Sequence, residues 1–217
     1  MELILFDFGG VVAEEGFRDG LAAIARKYGH DPEEVVKAGY ELVYQVGYVT
    51  GRSDEHAFWQ ALRAHTGIDG SDDALRPEIL SRFVVRPWMG DLTRELRARG
   101  VRLGILSDQT DWLERLNERD GFFEWFDRVF NSYDLGKTKK DPSLFTEVLA
   151  DMGVPAHRAL FVDDHLGHIE RARRQGLNAI HYQGRPSFLR ELAQYCSGLE
   201  SNPDLLPHES HSSPAPG

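Results

Sequence analysis

Near the start of this 217-residue chain lies Leu3-Ile4-Leu5-Phe6-Asp7-Phe8-Gly9-Gly10-Val11, the stretch that decides its fold. The apolar run predicts a strand over Leu3–Phe8 that is buried on both faces, as strands of parallel sheets are. Asp7 lies where this strand gives way to a glycine turn, and glycines let the backbone approach a ligand or an ion closely. Taken alone, an aspartate at a strand end more often forms a turn than a functional site.

Four more strand-length apolar runs follow, at Val101–Leu106, Arg128–Asn131, Ala159–Val162 and Ala179–Tyr182. They alternate with segments that have a helical spacing of apolar residues, at Asp91–Arg99, Trp112–Arg119, Pro142–Met152 and Gly167–Gln175. Strands that alternate with helices predict an α/β fold with a doubly wound, Rossmann-like parallel sheet. Ligands of such sheets bind beyond the carboxyl ends of the strands.

Residues 16–86 interrupt the alternation, because they carry only helical patterns. Apolar residues recur at helical spacing over Phe17–Tyr28, and Asp31-Pro32-Glu33-Glu34 has the N-cap and first-turn proline of a second helix. A third helix is predicted from Ser53 and a fourth over Ala74–Phe83. These patterns predict an all-helical cap inserted between the first and second strands.

The predicted units are an α/β core of residues 1–15 and 87–196, a helical cap of residues 16–86, and a tail of residues 197–217. The tail is rich in Ser, Pro, His and Gly, so we expect it to be disordered. Its His208 and His211 form too weak a pair to hold a metal. In the cap, we expect Phe58 and Trp59 to pack inside the bundle rather than against a substrate.

The composition excludes some classes of partner. With 25 Lys and Arg against 35 Asp and Glu, the formal net charge is −10, which disfavours nucleic acid but not a small anionic substrate that binds beside a cation. No stretch approaches the roughly 20 apolar residues of a membrane span, so a membrane partner is not expected. The N-terminal segment and the single Cys196, an ordinary half-buried thiol, predict a cytoplasmic protein.

The second strand ends in a hydroxyl, within Leu103-Gly104-Ile105-Leu106-Ser107-Asp108-Gln109-Thr110. The helix that follows has free N–H groups at its N-terminus, and such groups bind anions. Ser107 or Thr110 can instead cap that helix, and on this segment alone capping is the better interpretation.

A basic loop, Gly136-Lys137-Thr138-Lys139-Lys140-Asp141-Pro142, leads into the helix that Asp141 and Pro142 begin. A lysine in this place is suited to hold a phosphate oxygen and a nucleophilic carboxylate together. Three lysines also fit a solvated surface turn, but such a concentration of positive charge is less expected in an acidic protein.

A later strand ends in paired carboxylates, within Leu160-Phe161-Val162-Asp163-Asp164-His165. Adjacent acids repel each other unless a cation lies beside them, and Mg²⁺ prefers hard oxygen ligands. We therefore predict a magnesium site at Asp163 and Asp164. His165 and His168 share one helix face and are expected to be surface residues rather than zinc ligands.

Taken in order, Asp-x-Gly-Gly-Val, Ile-Leu-Ser-Asp, Lys-x-Asp-Pro and Phe-Val-Asp-Asp resemble the four motifs of the haloacid dehalogenase-like hydrolase superfamily. The resemblance covers about residues 3–182. The insert is similar to the helical C1 cap of subfamily I, and Gly51-Arg52-Ser53 running to Phe58-Trp59 is similar to a segment common in those caps. The resemblance implies a hydrolase with an aspartate nucleophile, which most often cleaves phosphate esters with magnesium.

The resemblance also implies a role for each motif residue. Asp7 would be the nucleophile that forms a covalent aspartyl intermediate. Ser107 would bind the transferring group, with Asp108 beside it. Lys139 would bind the substrate and steady the nucleophile, although the other two lysines of the loop are close enough to compete. The implied magnesium ligands are the Asp7 carboxylate, the backbone carbonyl of Gly9, Asp163 and Asp164.

Two residues depart from the superfamily's pattern. The usual phosphatase has an aspartate two residues after the nucleophile that protonates the leaving group and then activates water, and here that position is Gly9. General acid–base help contributes about 10²–10⁴-fold. Its loss predicts slow turnover, a good leaving group, or an acid from elsewhere, for which Glu14 and Glu15 are nearest. Asp108 replaces a common asparagine and adds negative charge beside a phosphate, unless it caps the helix or meets the lysines.

Three functions compete. The first is a magnesium-dependent phosphatase of a small phosphorylated metabolite, through an aspartyl-phosphate on Asp7. The second is a 2-haloacid dehalogenase, which needs neither a metal nor a leaving-group acid and would make Gly9 unremarkable. The third is a non-catalytic binding protein with this fold. Asp163 and Asp164 favour the phosphatase, because a dehalogenase does not need a pair of metal acids and the aromatic residue it tends to carry at position 9 is absent.

Overall fold

The computed structural model describes residues 1–196. The predicted disordered tail, residues 197–217 with His208 and His211, lies outside the described residues. Five strands are described: β1 (Leu3–Phe6), β2 (Arg102–Ser107), β3 (Arg128–Asn131), β4 (Ala159–Asp163) and β5 (Asn178–His181). They form one sheet in the order β3-β2-β1-β4-β5, and every pair is parallel.

Helices separate the strands. Those of the insert are α1 (Gly16–Tyr28), α2 (Pro32–Gln45), α3 (Glu55–Thr66) and α4 (Asp72–Leu80). The others are α5 (Pro87–Ala98), α6 (Trp112–Asp120), α7 (Ser132–Leu135), α8 (Ser143–Met152), α9 (Leu166–Arg174) and α10 (Arg185–Ala193). The α/β fold with a doubly wound, Rossmann-like sheet is confirmed, and no strand lies between α1 and α4.

The central strand β1 brings three strand ends together. Phe6 is level with Ile105 of β2 and Val162 of β4, and the Asp7 N–H donates to the Val162 carbonyl over 2.8 Å. Because these neighbours are in register, the residues that end β1, β2 and β4 emerge along one edge of the sheet. The chain places β2 and β3 on one side of β1 and β4 and β5 on the other, which makes this edge the switch point where such sheets bind ligands.

Side chains of β1 alternate between two cores. Leu3 and Leu5 pack in the core that α8 and α9 cover, whereas Ile4 and Phe6 pack in the core shared with α5, α6, α10 and the insert. All four residues are fully buried. Burial on both faces explains why the strand reads as a continuous apolar run rather than as an alternating one.

Three helices of the insert, α1, α2 and α3, begin at side-chain caps. Asp31 Oδ1 accepts from the first N–H groups of α2, as predicted. The third helix was predicted from Ser53, but Asp54 Oδ1 accepts from Ala57 N and α3 begins after it. Helix α4 ends at Leu80, earlier than predicted, and Phe83 lies beyond it with its ring stacked 5.8 Å from that of Phe8.

Phe58 and Trp59 are packing residues, as predicted. Both side chains are 0% exposed, and the Trp59 indole N–H donates to Glu55 Oε1 over 2.8 Å. The packing extends beyond the insert, because the Trp59 and Trp112 rings lie 5.7 Å apart. Since Trp112 belongs to α6, aromatic side chains join the insert to the layer of helices beneath it.

Two helices of the described chain, α7 and α10, were not predicted from the sequence. Helix α10 buries fully only Phe188 and Leu192 of its nine residues, which is too short a pattern to predict a helix. The four-residue α7 has only Ser132 buried. Among residues 1–196, no helix combines the length and the apolar character that crossing a membrane requires.

Candidate active site

A cavity of about 1010 Å³ lies at the predicted edge of the sheet. Predicted site residues from all four motifs line it, namely Asp7, Gly9, Ser107, Asp108, Lys139 and Asp164. Asp163 is fully buried behind this wall, at the end of β4. The structure therefore brings together side chains that are more than 150 residues apart in the chain.

Lys139 occupies the centre of the cluster. Its Nζ lies 2.9 Å from Asp7 Oδ2 and 2.6 Å from Asp163 Oδ2, and its side chain is only 1% exposed. The other lysines of the loop are engaged elsewhere, because Lys137 Nζ donates to Glu147 Oε1 and Lys140 Nζ lies 3.4 Å above the centre of a tyrosine ring. Among the three lysines, the geometry selects Lys139 as the partner of Asp7.

Asp163 is held by three groups of the chain. Besides Lys139, the His165 N–H donates to its Oδ1 over 2.7 Å, and His168 Nδ1 lies 3.1 Å from its Oδ2. Burial alone would raise the pKa of Asp163, but Lys139 and then His168 outweigh it and hold that pKa well below its usual range. Asp163 is therefore a fixed negative charge.

The structure corrects the prediction for one of the two histidines. His165 is exposed, as expected, but His168 is buried against Asp163 rather than at the surface. Burial lowers the pKa of His168, which keeps its imidazole neutral. The spacing of the two histidines predicts that they share one helix face. It does not predict that the packing of α9 buries His168 and leaves His165 exposed.

Three carboxylates make a group that can hold a cation. Oxygens of Asp7, Asp163 and Asp164 lie within 4.8 Å of one another. Burial raises the pKa of Asp7 well above its usual value despite the opposing Lys139, and partial burial followed by repulsion from Asp163 raises that of Asp164. Clustered hard oxygens, on three carboxyl groups of which Asp7 and Asp164 have raised pKa values, suit a bound divalent cation, and this donor set fits Mg²⁺.

The turn after β1 makes room for Asp164. Gly10 has φ +78°, and a Cβ at this position would lie 2.2 Å from Asp164 Oδ2. Only glycine permits both this backbone conformation and this approach. Arg86 Nη1 fixes the turn by donating to the Gly10 and Val11 carbonyls, each over 2.7 Å.

Ser107 presents a free hydroxyl to the cavity. Ser107 does not cap α6, whose N-cap residue is Asp111; the Oγ1 of Thr110, the other residue considered, accepts from Trp112 N over 3.3 Å. Within residues 1–196, Ser107 Oγ makes no hydrogen bond. It is therefore available to a ligand.

Asp108 turns toward the chain. Its Oδ1 accepts from the Lys139 backbone N–H over 2.8 Å, and its Oδ2 accepts from Tyr44 OH over 3.2 Å. The carboxylate thus meets the backbone of the lysine loop, one of the two ways in which its charge was expected to be accommodated. It links α2 to the loop that carries Lys139.

Glu14 and Glu15, the two candidates for a proton donor, differ in their surroundings. Glu14 lies outside the cavity in a bidentate pair with Arg86, whose Nε and Nη2 are 3.0 and 2.9 Å from its oxygens; this hydrogen bond lowers the pKa of Glu14. Glu15 lines the cavity, and burial raises its pKa. The structure therefore separates two residues that the sequence could not.

Several cavity residues were missed by the sequence analysis. Tyr40 and Tyr44 of α2 and Phe17 of α1 form part of the wall, as does Arg171 of α9, whose buried Nη1 has no hydrogen-bond partner in the described chain. No motif contains them. Phe17, Tyr40 and Tyr44 reach the cavity through the packing of the insert helices on one another, and Arg171 through the packing of α9 on β4 and β5. A local sequence pattern does not encode either kind of packing.

Comparison with known proteins gives the family. A family model described as haloacid dehalogenase-like hydrolase matches residues 1–176. The chain belongs to this family. The motif order that suggested the superfamily is thus confirmed, and the protein is a hydrolase of haloacid dehalogenase type.

Two curated relatives of this hydrolase share most of its length. Flavin mononucleotide hydrolase 1 of Arabidopsis thaliana is 20% identical over 196 residues, which cover 89% of this chain and 77% of the relative. Phosphoglycolate phosphatase of Pseudomonas putida is 26% identical over 210 residues, which cover 85% of this chain and 72% of the relative.

Solved structures of the family share the fold. A haloacid dehalogenase family enzyme of Bacteroides thetaiotaomicron, in complex with magnesium and inorganic phosphate, has a TM-score of 0.67 at 20% identity and covers 83% of this chain and 93% of its own. L-2-haloacid dehalogenase of Xanthobacter autotrophicus is also similar, with a TM-score of 0.63 at 18% identity, covering 89% of this chain and 83% of its own. At such identities the likeness shows the fold alone.

Proposed function

We propose that this hydrolase is a magnesium-dependent phosphatase of small phosphorylated metabolites, and that Asp7 carries the phosphoryl group as an aspartyl-phosphate. The observation that supports this most directly is Lys139 Nζ between Asp7 and Asp163, with Asp164 beside them at the cavity wall. The arrangement combines a nucleophilic carboxylate, a fixed cation and a set of magnesium ligands in one place.

The carboxylate of Asp7 is oriented for attack. The Phe8 N–H donates to Asp7 Oδ1 over 2.7 Å, and Lys139 contacts Oδ2. In the proposed reaction one Asp7 oxygen attacks phosphorus, and Lys139 stabilises the negative charge that develops on the phosphoryl oxygens. The Ser107 hydroxyl donates to one of those oxygens.

Asp7, Asp163, Asp164 and the Gly9 carbonyl would hold Mg²⁺. A bound ion would neutralise the negative charge of the carboxylates and of the incoming phosphate. This need is strong here, because the cavity wall is acidic and a phosphate dianion would otherwise be repelled.

The cavity supports a small substrate. Its volume of about 1010 Å³ is at the upper end of what small-molecule sites use. The two curated relatives are named for flavin mononucleotide and phosphoglycolate, both phosphate monoesters. We propose that residues 16–86 act as a cap of the C1 type over the core of residues 1–15 and 87–196, and that Tyr40 and Tyr44 contact the part of the substrate that leaves.

Release of phosphate from p-nitrophenyl phosphate tests the proposal, with and without Mg²⁺. We expect magnesium-dependent turnover by the native chain and loss of at least about 10³-fold in Asp7→Asn, because the nucleophile is removed. The exposed Asp69→Asn variant is the matched control and should keep native turnover. Turnover that survives Asp7→Asn would contradict the proposed nucleophile.

Dehalogenation is the second candidate, and the structural relative from Xanthobacter shows that the fold can carry it. Halide displacement at carbon needs no metal, so it gives no reason for the cluster of Asp7, Asp163 and Asp164. Halide release from 2-chloropropionate, without phosphate release from any ester, would favour this candidate. The absence of both activities would favour a non-catalytic binding protein.

The cellular location and the partners of the enzyme are inferred from its charge and its cysteine content. We propose a cytoplasmic enzyme whose partner is a small phosphorylated metabolite, with neither nucleic acid nor membrane bound. The acidic net charge of −10 and the one cysteine, a free buried thiol at Cys196, support this.

A further inference from the structure

A phosphate monoester cannot release an alkoxide easily, so the leaving oxygen needs a proton. Neither central group of the site can deliver it. Asp7 is the nucleophile of the proposed function, and the Lys139 ammonium is committed to Asp7 and Asp163. The donor has to be another group on the wall of the same cavity.

Glu15 presents a carboxyl oxygen to that cavity. Its Oε1 accepts from Arg18 N and from Tyr40 OH, each over 3.1 Å. Its Oε2 has no hydrogen-bond partner within residues 1–196. Oε2 lies 3.3 Å from the point that a Cβ on Gly9 would occupy, so the carboxyl fills the space beside the residue two positions after the nucleophile.

The backbone holds Glu15 in this place. Glu15 is the N-cap of α1, and the next residue, Gly16, packs so closely on the Phe83 ring that a Cβ there would lie 2.4 Å from it. Phe83 is itself buried. The close packing of Gly16 on the buried Phe83 ring fixes the backbone beside Glu15. We therefore expect the Glu15 carboxyl to keep its position during the reaction.

Four other acid or hydroxyl side chains on or near the wall are engaged. Both Glu14 oxygens are bound by Arg86, and both Asp108 oxygens accept hydrogen bonds from the chain. The hydroxyl protons of Tyr40 and Tyr44 are donated to carboxylates.

We propose that Glu15 is the catalytic residue that protonates the leaving group and then accepts a proton from water; this inference rests on the proposed phosphatase function. In the first step an Asp7 oxygen bonds to phosphorus, the phosphorus–oxygen bond to the alcohol breaks, and the Glu15 proton passes to the departing oxygen. In the second step water attacks phosphorus, its proton returns to Glu15, and the bond to Asp7 breaks to release phosphate.

Glu15→Gln is the test, because glutamine keeps the acceptor that caps α1 but has no acid proton. On phenyl phosphate we expect phenol release to fall by about 10²–10⁴-fold. On p-nitrophenyl phosphate, whose leaving group needs no acid, we expect a rapid burst of about one p-nitrophenol per chain. Slow turnover should follow, with phosphorylated Asp7 accumulating and visible by intact mass after an acid quench.

Glu14→Gln is the matched control and should leave both substrates at native rates. A rescue variant combines Gly9→Asp with Glu15→Ala and returns a carboxyl to the same space. Gly9 has no positive φ, so an aspartate can adopt its backbone conformation. Once the Glu15 carboxyl is removed, the remaining neighbour within 4 Å of a Cβ at position 9 is the Phe83 ring, at 3.4 Å. The rescue variant should recover part of the phenyl phosphate rate that Glu15→Ala loses.

Two results separate failure of this inference from failure of the proposed function. If Glu15→Gln keeps the native ratio of phenyl to p-nitrophenyl phosphate rates and shows no burst, Glu15 is not the acid although the phosphatase stands. If the native chain with Mg²⁺ releases neither phenol nor p-nitrophenol, the phosphatase proposal falls and takes this inference with it.

Discussion

At the scale of single residues, the site depends on one buried lysine that serves two carboxylates. Lys139 compensates the charge of Asp163, and within residues 1–196 the other side chain that contacts this carboxylate is the neutral imidazole of His168. It also fixes Asp7 on the cavity side. In the proposed reaction the same ammonium therefore serves both stability and chemistry, so its removal should affect both.

Lys139→Met should lower the free energy of unfolding by about 3–5 kcal/mol, because it leaves a buried carboxylate without its partner. Turnover should fall by about 10²–10³-fold, the loss that follows removal of one group that stabilises the developing charge. Urea denaturation and phosphate release measure the two effects. Lys137→Met, which removes an ion pair with the exposed Glu147, is the control and should change neither.

Asp7→Asn should stabilise the metal-free protein while it abolishes turnover. Burial raises the pKa of Asp7 above its unfolded value, so the ionised group costs folding free energy at pH above the folded pKa. We expect a gain of about 0.5–2 kcal/mol near neutral pH, as seen when active-site strain is relieved. The gain should shrink as the pH falls through the folded pKa, where native Asp7 becomes neutral. Urea titrations with a chelator at several pH values measure it, and a gain that grows toward acid pH would contradict this account.

At the scale of elements, the turn between β1 and α1 shapes one wall of the candidate site. It carries Gly9 beside the Glu15 carboxyl, and Gly10 beside Asp164. The two glycines serve different needs, because Gly10 has a positive φ and Gly9 does not. A side chain at either position would meet a carboxylate of the cavity.

Gly10→Ala should cost about 1–2 kcal/mol of stability from the left-handed backbone and should also displace Asp164. Gly121→Ala is the matched control, because Gly121 has φ +69° with open space around it. Both variants should unfold at a lower urea concentration than the native chain. Only Gly10→Ala should need a higher Mg²⁺ concentration for half-maximal turnover of p-nitrophenyl phosphate. An equal need for Mg²⁺ in both variants would show that Gly10 serves the backbone alone.

The sequence predicts what local chemistry determines. Asp7, Ser107 and the Asp163-Asp164 pair could be placed on one sheet edge, because parallel strands in register end together. The sequence could not choose between Glu14 and Glu15, since adjacent residues at a helix start differ only in how the turn directs them. Tyr40 and Arg171 could not be predicted for a related reason, because tertiary packing of α2 on its neighbouring helices and of α9 on the sheet brings them to the cavity.

At the scale of the whole molecule, the acidic site and the acidic chain act together. A net charge of −10 attracts divalent cations, and clustered carboxylates with raised pKa values cost stability until a cation binds. The folded chain should therefore bind Mg²⁺ and the unfolded chain should not, which couples the metal to global stability.

We expect Mg²⁺ to raise the free energy of unfolding by about 2.7 kcal/mol at 100 times its dissociation constant, and the thermal midpoint by about 2–4 °C per kcal/mol. Because Asp7 and Asp164 have raised pKa values, both must lose protons before they bind, so the magnesium-induced shift should be larger at about pH 8 than at about pH 5. Thermal scans with Mg²⁺ or chelator measure it, and Asp164→Asn should lose most of the shift while Asp69→Asn keeps it. A shift of the same size in Asp164→Asn would place the stabilising cation elsewhere on the molecule.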